Sequence, residues 1–150
     1  LKSFKGWNED LISMASSSDS LYRWGVFERP LPRSLYNGKA ILMGDAAHPI
    51  VPFLGQGGCL AIEDAYCLSS LIRKIKDLNQ ILKVFNHMRN KRSRWIQKRS
   101  RLQGLFNHVS NPVLTPVRNI IAKVSMRSSV TKIHSYNLNK QLSLKINSQL

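Results

Sequence analysis

The stretch MGDAAHPIVPFLGQGGCLAIEDA, residues 43–65, decides the fold of this chain of 150 residues. A short apolar run, residues 39–43, leads into it and is bounded by turn residues, which is typical of a buried strand. The stretch combines four glycines and two prolines before a helical pattern begins. It therefore predicts a strand, a stiff loop and a helix, the arrangement in which α/β proteins present polar groups to ligands.

The first acid of this stretch, Asp45, lies where the predicted strand ends. A carboxylate at that place can accept hydrogen bonds from the hydroxyl groups of a sugar or polyol. Gly44 lets a backbone or a ligand approach closely, and Pro49 and Pro52 stiffen the loop that follows. The pattern thus indicates an acceptor for ligand hydroxyl groups at Asp45.

Three glycines, Gly55, Gly57 and Gly58, precede the predicted helix. They free a run of backbone N–H groups at a helix start, where the unpaired donors and the helix dipole favour negative charge. A ligand that carries both a polyol and an anionic ring or phosphate would fit this helix start and Asp45 together. The alternative is a tight strand-to-helix connection in which the glycines serve packing.

The other polar residues of the stretch suggest structural roles. His48 follows Asp45 by three residues, but the remaining histidines lie far along the chain, so we expect a hydrogen-bonded structural histidine and no metal site. Glu63 and Asp64 are neighbours on the predicted helix and point in different directions, which argues against catalysis by a pair of carboxylates. We expect no catalytic side chain in this chain.

The flanking sequence predicts mostly helices. We expect a short helix over residues 7–15, an aromatic-rich strand over residues 21–28 and a turn at Asn37-Gly38. Apolar residues then recur at helical spacing in two stripes. The first stripe is Ala61, Ala65, Leu68, Ile72 and Ile75, and the second is Ile81, Phe85, Met88, Arg92, Trp95, Arg99, Leu102 and Phe106.

Polar residues mark the ends of these helices. Asp77 and Gln80 predict a capping box at the start of the second helix, and Thr115-Pro116 predicts the start of a third. Arg92 and Arg99 interrupt the second stripe, so they either snorkel or form an exposed surface that a part of the protein outside this chain would cover.

Charge is unevenly distributed along the chain. Residues 1–70 carry six Lys/Arg against seven Asp/Glu, whereas residues 71–150 carry seventeen against one. The basic half could meet nucleic acid, an anionic membrane or an acidic partner, or it could be a solvated or covered face. No apolar run approaches the length of a membrane span, and the first ten residues do not resemble a signal peptide.

Two segments resemble a known family. Residues 38–72, GKAILMGDAAHPIVPFLGQGGCLAIEDAYCLSSLI, closely resemble the second flavin-binding motif of class A FAD-dependent monooxygenases, whose type is para-hydroxybenzoate hydroxylase. Residues 89–121 are similar to the C-terminal helices of the same enzymes. Within the family, the motif looks most like those of zeaxanthin epoxidases, FAD-dependent urate hydroxylases and kynurenine monooxygenases.

The resemblance implies an FAD site. It places Asp45 at the ribityl hydroxyls, the loop prolines beside the flavin ring, and the glycine-rich helix start at the pyrimidine edge of the ring. The implied flavin-binding residues are Gly44, Asp45, Pro52, Gly55, Gln56, Gly57 and Gly58. Pro52 and Phe53 would also lie near the substrate. The helix start would stabilise the negative charge that this edge acquires on reduction.

The implied fold class is α/β: the C-terminal part of an FAD/NAD(P)-binding fold of the para-hydroxybenzoate hydroxylase type, mostly helical in this chain with a few strands. Residues 1–37 would end a substrate-domain sheet, residues 38–126 would belong to the FAD-binding domain, and residues 127–150 would form a loose basic tail. The chain lacks the G-x-G-x-x-G motif that holds the FAD diphosphate in these enzymes. We therefore expect a fragment, inactive alone, whose partner is the N-terminal half of the same enzyme.

The implied function is the hydroxylation or epoxidation of an aromatic or unsaturated small molecule with FAD, NADH or NADPH, and O2. One alternative is a non-catalytic basic helical module that binds an anionic membrane or nucleic acid. Another is a flavoprotein of the same fold that does not hydroxylate. We expect a cytoplasmic protein, with peripheral contact to a membrane left open and no nucleic-acid partner.

Overall fold

The computed structural model describes residues 4–17, 20, 22 and 24–147. This part of the chain is mostly helical with a small two-stranded sheet, which agrees with the fold class predicted from the sequence. In chain order the elements are α1 (Glu9–Ser16), β1 (Tyr36–Asn37), β2 (Ala40–Ile41), α2 (Gly57–Lys74), α3 (Leu78–Asn107), α4 (Leu114–His134) and α5 (Leu138–Asn147).

The sheet is an antiparallel hairpin. Tyr36 pairs with Ile41 and Asn37 with Ala40, and Gly38 turns the chain with a φ of +56°. The predicted turn at Asn37-Gly38 is confirmed. The strand expected over residues 39–43 forms only at Ala40–Ile41. It pairs with β1 and is not buried, since Ala40 is exposed.

The strand predicted over residues 21–28 is wrong for the residues that the structure describes there, and residues 21 and 23 lie outside them. Residues 22 and 24–28 form no strand, and the rings of Trp24 and Phe27 are 85% and 84% exposed. Aromatic content favours a strand only where a neighbouring strand supplies hydrogen bonds and packing, and no strand of the described residues lies beside this segment.

Residues 29–35 run in an extended path along α3. Polar side chains of α3 bind the backbone of this segment: the Asn90 amide donates to the carbonyl oxygens of Pro32 and Arg33, and the Gln97 amide donates to that of Arg29. Asn86 accepts from the backbone N–H of Leu35 at 2.8 Å. These bonds fix the approach to the hairpin although the segment has no secondary structure of its own.

Within α2 the buried face is displaced by one residue from the first predicted stripe, whereas Ile75, the last residue of that stripe, is buried as predicted. The buried residues of α2 are Leu60, Asp64, Cys67 and Leu71, whereas Ile72 is 59% exposed. The buried face includes an aspartate, so a search for apolar spacing alone selects the neighbouring face.

The main hydrophobic core lies between α2, α3 and α5. Phe85 of α3 is fully buried in it. The buried members are Leu35, Ala47, Cys67, Leu71, Ile75, Ile81, Val84, Phe85, Met88, Leu138, Leu142 and Ile146. At the start of α3, the Asp77 carboxylate accepts from the backbone N–H groups of Asn79 and Gln80, which confirms Asp77 as the predicted cap.

The C-terminal part differs from the prediction. Helix α4 begins at Leu114, one residue before Thr115, and the Asn111 side chain accepts from the backbone N–H of Val113 just before it. The loose tail expected from residue 127 is replaced by the end of α4 and by α5, whose Leu142 is buried. None of the helices in the described ranges is long and apolar enough to cross a membrane.

The packing of α5 gives a test of this correction. We expect Leu142→Ala to lower the free energy of unfolding by about 2–4 kcal/mol, because it leaves a cavity in the core. Leu144→Ala, two residues away on a side chain that is 59% exposed, is the matched control and should change the free energy by less than about 0.5 kcal/mol. Equal effects in chemical denaturation would show that α5 does not pack as described.

Candidate cofactor site

The loop between β2 and α2 contains two short 3₁₀ turns. The first, Gly44–Ala46, begins at a glycine with a φ of +57°, and the second, Pro52–Leu54, ends at Gly55 with a φ of +62°. A residue with a Cβ is strained in this left-handed conformation. The two glycines therefore fix where the loop reverses.

The carboxylate of Asp45 is exposed and lies close to the start of α2. A Cβ placed on Gly57 would be 3.9 Å from Asp45 Oδ1. The structure thus brings together the two features that the sequence separates by about ten residues. The carboxylate that the sequence predicts as an acceptor for ligand hydroxyls lies beside the helix start.

The start of α2 presents backbone donors. Gln56 precedes the helix and makes no capping bond with its side chain within the described part of the chain. The Leu60 N–H donates to the Gln56 carbonyl oxygen, which leaves the N–H groups of Gly57, Gly58 and Cys59 ahead of the first intrahelical bond. A Cβ on Gly58 would meet no described atom within 4 Å, so this face of the helix start is open.

The proline-containing turn rests on α3. Ser100 donates its hydroxyl to the carbonyl oxygen of Val51 at 2.6 Å. The Phe53 ring packs edge-on against His108, at 5.6 Å between ring centroids, and it fills the space where a Cβ of Gly104 would stand. Pro52 itself is exposed. The turn is therefore fixed from one side while its proline faces outward.

Beneath the loop lies a buried carboxylate, Asp64. Its Oδ2 accepts from the Gly44 backbone N–H at 2.9 Å and from His48 Nε2 at 2.6 Å, and its Oδ1 accepts from Arg89 Nε at 2.6 Å. Asp64, His48 and Arg89 are all fully buried. Burial raises the pKa of Asp64, but the hydrogen bonds from His48, Arg89 and Gly44 outweigh it and lower that pKa below its usual value.

A second acid completes this ionic cluster. Arg89 Nη1 lies 2.8 Å from Glu63 Oε2, and Arg92 Nη2 lies 3.0 Å from Glu63 Oε1. Arg92 is 7% exposed and also donates to the Ile133 carbonyl oxygen. Two acids of α2 are thus paired with two arginines of α3, which joins the helices through charge.

The structure confirms one expectation in this cluster and corrects or extends two others. His48 is the hydrogen-bonded structural histidine that was predicted. Arg92 is not an exposed surface, since Glu63 binds it in the interior. Glu63 and Asp64 do point in different directions, but one guanidinium, that of Arg89, reaches both. The sequence signal for this ionic cluster, which the sequence analysis missed, is the presence of charged residues at positions of α2 and α3 that are spaced to lie on their buried faces.

The residues present fit a flavin nucleotide. An exposed carboxylate can bind the hydroxyls of a polyol chain, the adjacent helix start can donate to an anionic ring edge, and the glycine there leaves room for it. In the described residues, no group of three or more His, Cys, Asp or Glu side chains could hold a metal ion. A carboxylate beside an open helix start, at the end of a strand, is an arrangement in which α/β proteins bind nucleotide cofactors.

The chain belongs to the FAD binding domain family, whose profile matches residues 12–100. It is 36% identical over 107 residues to the 3-amino-4-hydroxybenzoate 2-monooxygenase PtnB3 of Streptomyces platensis, which covers 71% of this chain and 27% of the relative. It is 42% identical over 76 residues to the chloroplastic zeaxanthin epoxidase of Capsicum annuum, which covers 49% of this chain and 12% of the relative. The predicted family resemblance is confirmed.

The fold also matches solved structures. Klebsiella pneumoniae HpxO complexed with FAD and uric acid superposes with a TM-score of 0.69 at 28% identity, over 77% of this chain and 30% of that chain. A variant of HpxO complexed with FAD gives a TM-score of 0.76 at 26% identity, over 91% and 38% of the two chains. The present chain therefore spans well under half the length of the proteins that it matches.

Asp64 gives a direct test of the cluster. We expect Asp64→Asn to lower the free energy of unfolding by about 3 kcal/mol, because the buried Arg89 loses its charged partner. The Gly44 amide proton should also move upfield, since its carboxylate acceptor is gone. Asp77→Asn is the control, and it should cost less than about 0.5 kcal/mol because Asn caps a helix as well as Asp does.

The pH dependence gives the same test a second measurement. A lowered pKa in the folded state means that the charged carboxylate stabilises the fold above the ordinary Asp pKa of about 3.9, and that this stability is lost as the pH falls through the lowered value. The difference between the original protein and Asp64→Asn should therefore be constant from about pH 5 to pH 7 and shrink below about pH 4. A constant difference down to acid unfolding would contradict the described hydrogen bonds.

Proposed function

We propose that this chain forms the ribityl-and-ring side of the FAD site in an FAD-dependent monooxygenase. The observation that carries the proposal is the position of the Asp45 carboxylate beside the glycine-rich start of α2. Family membership and the likeness to HpxO in complex with FAD support it. The proposed flavin contacts are Gly44, Asp45, Pro52, Gly55, Gln56, Gly57 and Gly58.

The protein groups have separate roles in this proposal. Asp45 accepts from the ribityl hydroxyls, and the N–H groups of Gly57 and Gly58 donate to the pyrimidine edge of the ring. When bound, FAD supplies the redox chemistry with NADH or NADPH and O2. The donors and dipole of the helix start would favour negative charge on a ring edge bound there, which is the charge that the flavin acquires on reduction.

The substrate side is proposed for Pro52 and Phe53. Pro52 is exposed on a turn whose Phe53 ring packs against the end of α3. The two side chains therefore present an apolar surface whose conformation is set before a substrate binds. The relatives act, by their names, on 3-amino-4-hydroxybenzoate and zeaxanthin, and HpxO was solved with uric acid. We infer hydroxylation or epoxidation of an aromatic or otherwise unsaturated small molecule.

The diphosphate of FAD needs a second segment. The chain contains no G-x-G-x-x-G motif, and it spans 27% of the length of the relative PtnB3. We infer that residues 38–126 act as part of an FAD-binding domain, that residues 1–37 adjoin a substrate domain, and that further polypeptide binds the diphosphate. Two free thiols are compatible with the reducing cytoplasm, where we place the protein.

The proposed ring site can be tested on this chain alone. Riboflavin should shift the amide resonances of Gly55, Gly57 and Gly58, and FAD should bind within about threefold of riboflavin because the diphosphate has no site here. Asp45→Ala should weaken binding by about 1–3 kcal/mol through loss of an acceptor.

Asp10→Ala, at an exposed aspartate of α1, is the control and should leave binding unchanged. Unshifted glycine resonances would refute the ring site. Much tighter binding of FAD than of riboflavin would refute the inferred need for a second segment.

A substitution at Gly58 should change riboflavin binding and the free energy of unfolding in opposite directions. We expect Gly58→Ala to raise the free energy of unfolding by about 0.5–1 kcal/mol, because alanine is the better helix former and the added Cβ meets open space. The same Cβ stands where the ring edge would approach, so riboflavin binding should fall by about tenfold. Arg73→Ala at the other end of α2 is the control. Unchanged binding in Gly58→Ala would count against contact at this position.

A further inference from the structure

A cleft of about 550 Å³ lies between α3, the end of α4 and α5. Its volume is within the range of small-molecule binding sites. It shares no residue with the loop of residues 44–58. Its apolar wall is formed by Met88 and Trp95 of α3, by Leu144 of α5 and by Tyr136 between α4 and α5.

The polar lining of this cleft is basic. Lys91, Lys132 and Lys145 line it together with His87 and Arg92, and no carboxylate does so among the described residues. The sequence from residue 78 to residue 150 contains no Asp or Glu at all. The positive charges of Lys91 and Lys132 beside a low-dielectric wall raise the local concentration of anions.

Arg92 makes the inner wall rigid. Its guanidinium is paired with Glu63 and donates to the Ile133 carbonyl oxygen, and it lies 4.1 Å from the centre of the Tyr136 ring and 5.7 Å from that of Trp95. The nearby Glu63 carboxylate is paired with Arg89 and Arg92, so it does not neutralise Lys91 or Lys132. The cleft therefore combines fixed aromatic rings with a basic rim.

We propose that this cleft binds an amphipathic monoanion, an apolar body of ring or acyl character that carries one carboxylate. The body would contact Trp95, Tyr136 and Leu144, and the carboxylate would meet Lys91 and Lys132. An uncharged apolar molecule would leave Lys91 and Lys132 without an anion, and a small hydrophilic anion would leave the aromatic rings uncovered. A molecule with both an apolar body and a carboxylate would contact the apolar wall and the lysines at the same time.

The fluorescent pair pyrenebutyrate and pyrenebutanol tests the two parts of the proposal on this chain. Both probes offer the same apolar body, and only the butyrate carries charge. By fluorescence anisotropy, the butyrate should bind at least about tenfold more tightly than the alcohol. Equal affinities, or no binding of the butyrate, would overturn the proposal. Displacement by dodecanoate or by naphthoate would show whether acyl or aromatic acids are preferred, and displacement by neither would overturn it.

Variants locate the probe. Lys91→Gln and Lys132→Gln should each weaken pyrenebutyrate binding by about three- to tenfold and leave pyrenebutanol binding unchanged. The matched controls are Lys98→Gln on α3 and Lys140→Gln on α5, two exposed lysines that do not line the cleft. Equal losses in the control variants would indicate general attraction to a basic protein and overturn the site.

A filling variant checks the wall without changing charge. Leu144→Trp adds a ring to an exposed residue of the cleft and should weaken both probes by about tenfold, with the helical circular dichroism unchanged. Leu105→Trp, on an exposed residue of α3 outside the cleft, is the control. Undiminished binding in Leu144→Trp would overturn the assigned location.

Discussion

The rest of the structure depends on one buried carboxylate, Asp64. It accepts hydrogen bonds from three parts of the chain: the turn at Gly44, the loop at His48 and the long helix at Arg89. A buried charge is costly unless every lone pair is used, and here the donors come from segments that must lie in one arrangement to supply them. The carboxylate therefore specifies the position of the loop relative to both helices.

This constraint has a functional consequence for the proposed flavin site. The turn that carries Asp45 is bound from below by Asp64, and the proline-containing turn is bound from the side by Ser100 and by the packing of Phe53. A ligand would thus meet a site whose backbone is already in place, which reduces the ordering cost of binding. Loop residues can serve binding in this way because rigid helices position them.

The sequence reveals the proposed site better than it reveals the interior. Gly44, Asp45 and the glycines before α2 belong to one contiguous stretch, and their chemistry follows from local backbone conformation. The described pairs that join α2 to α3 through charge include Asp64 with Arg89 and Glu63 with Arg92, which are 25 and 29 residues apart, so no local pattern connects them. The prediction of a strand over residues 21–28 fails for the same reason. A strand needs a second strand to pair with, and the local sequence does not show whether one is present. The dependence on distant partners also explains the missed packing of α5, whose weak apolar pattern becomes buried only against α2 and α3.

The contact between Phe53 and Gly104 has an evolutionary consequence. A Cβ at position 104 would come within 2.5 Å of the Phe53 ring. Glycine stands at this position although it weakens a helix by about 1 kcal/mol relative to alanine. Selection on α3 alone would replace this glycine, and selection on the loop alone would accept many apolar residues at position 53. The two positions should therefore change together among relatives, with larger residues at 104 accompanying smaller ones at 53. The residue at position 104 of α3 would therefore be constrained by the conformation of the loop, although it contacts no ligand in the proposal.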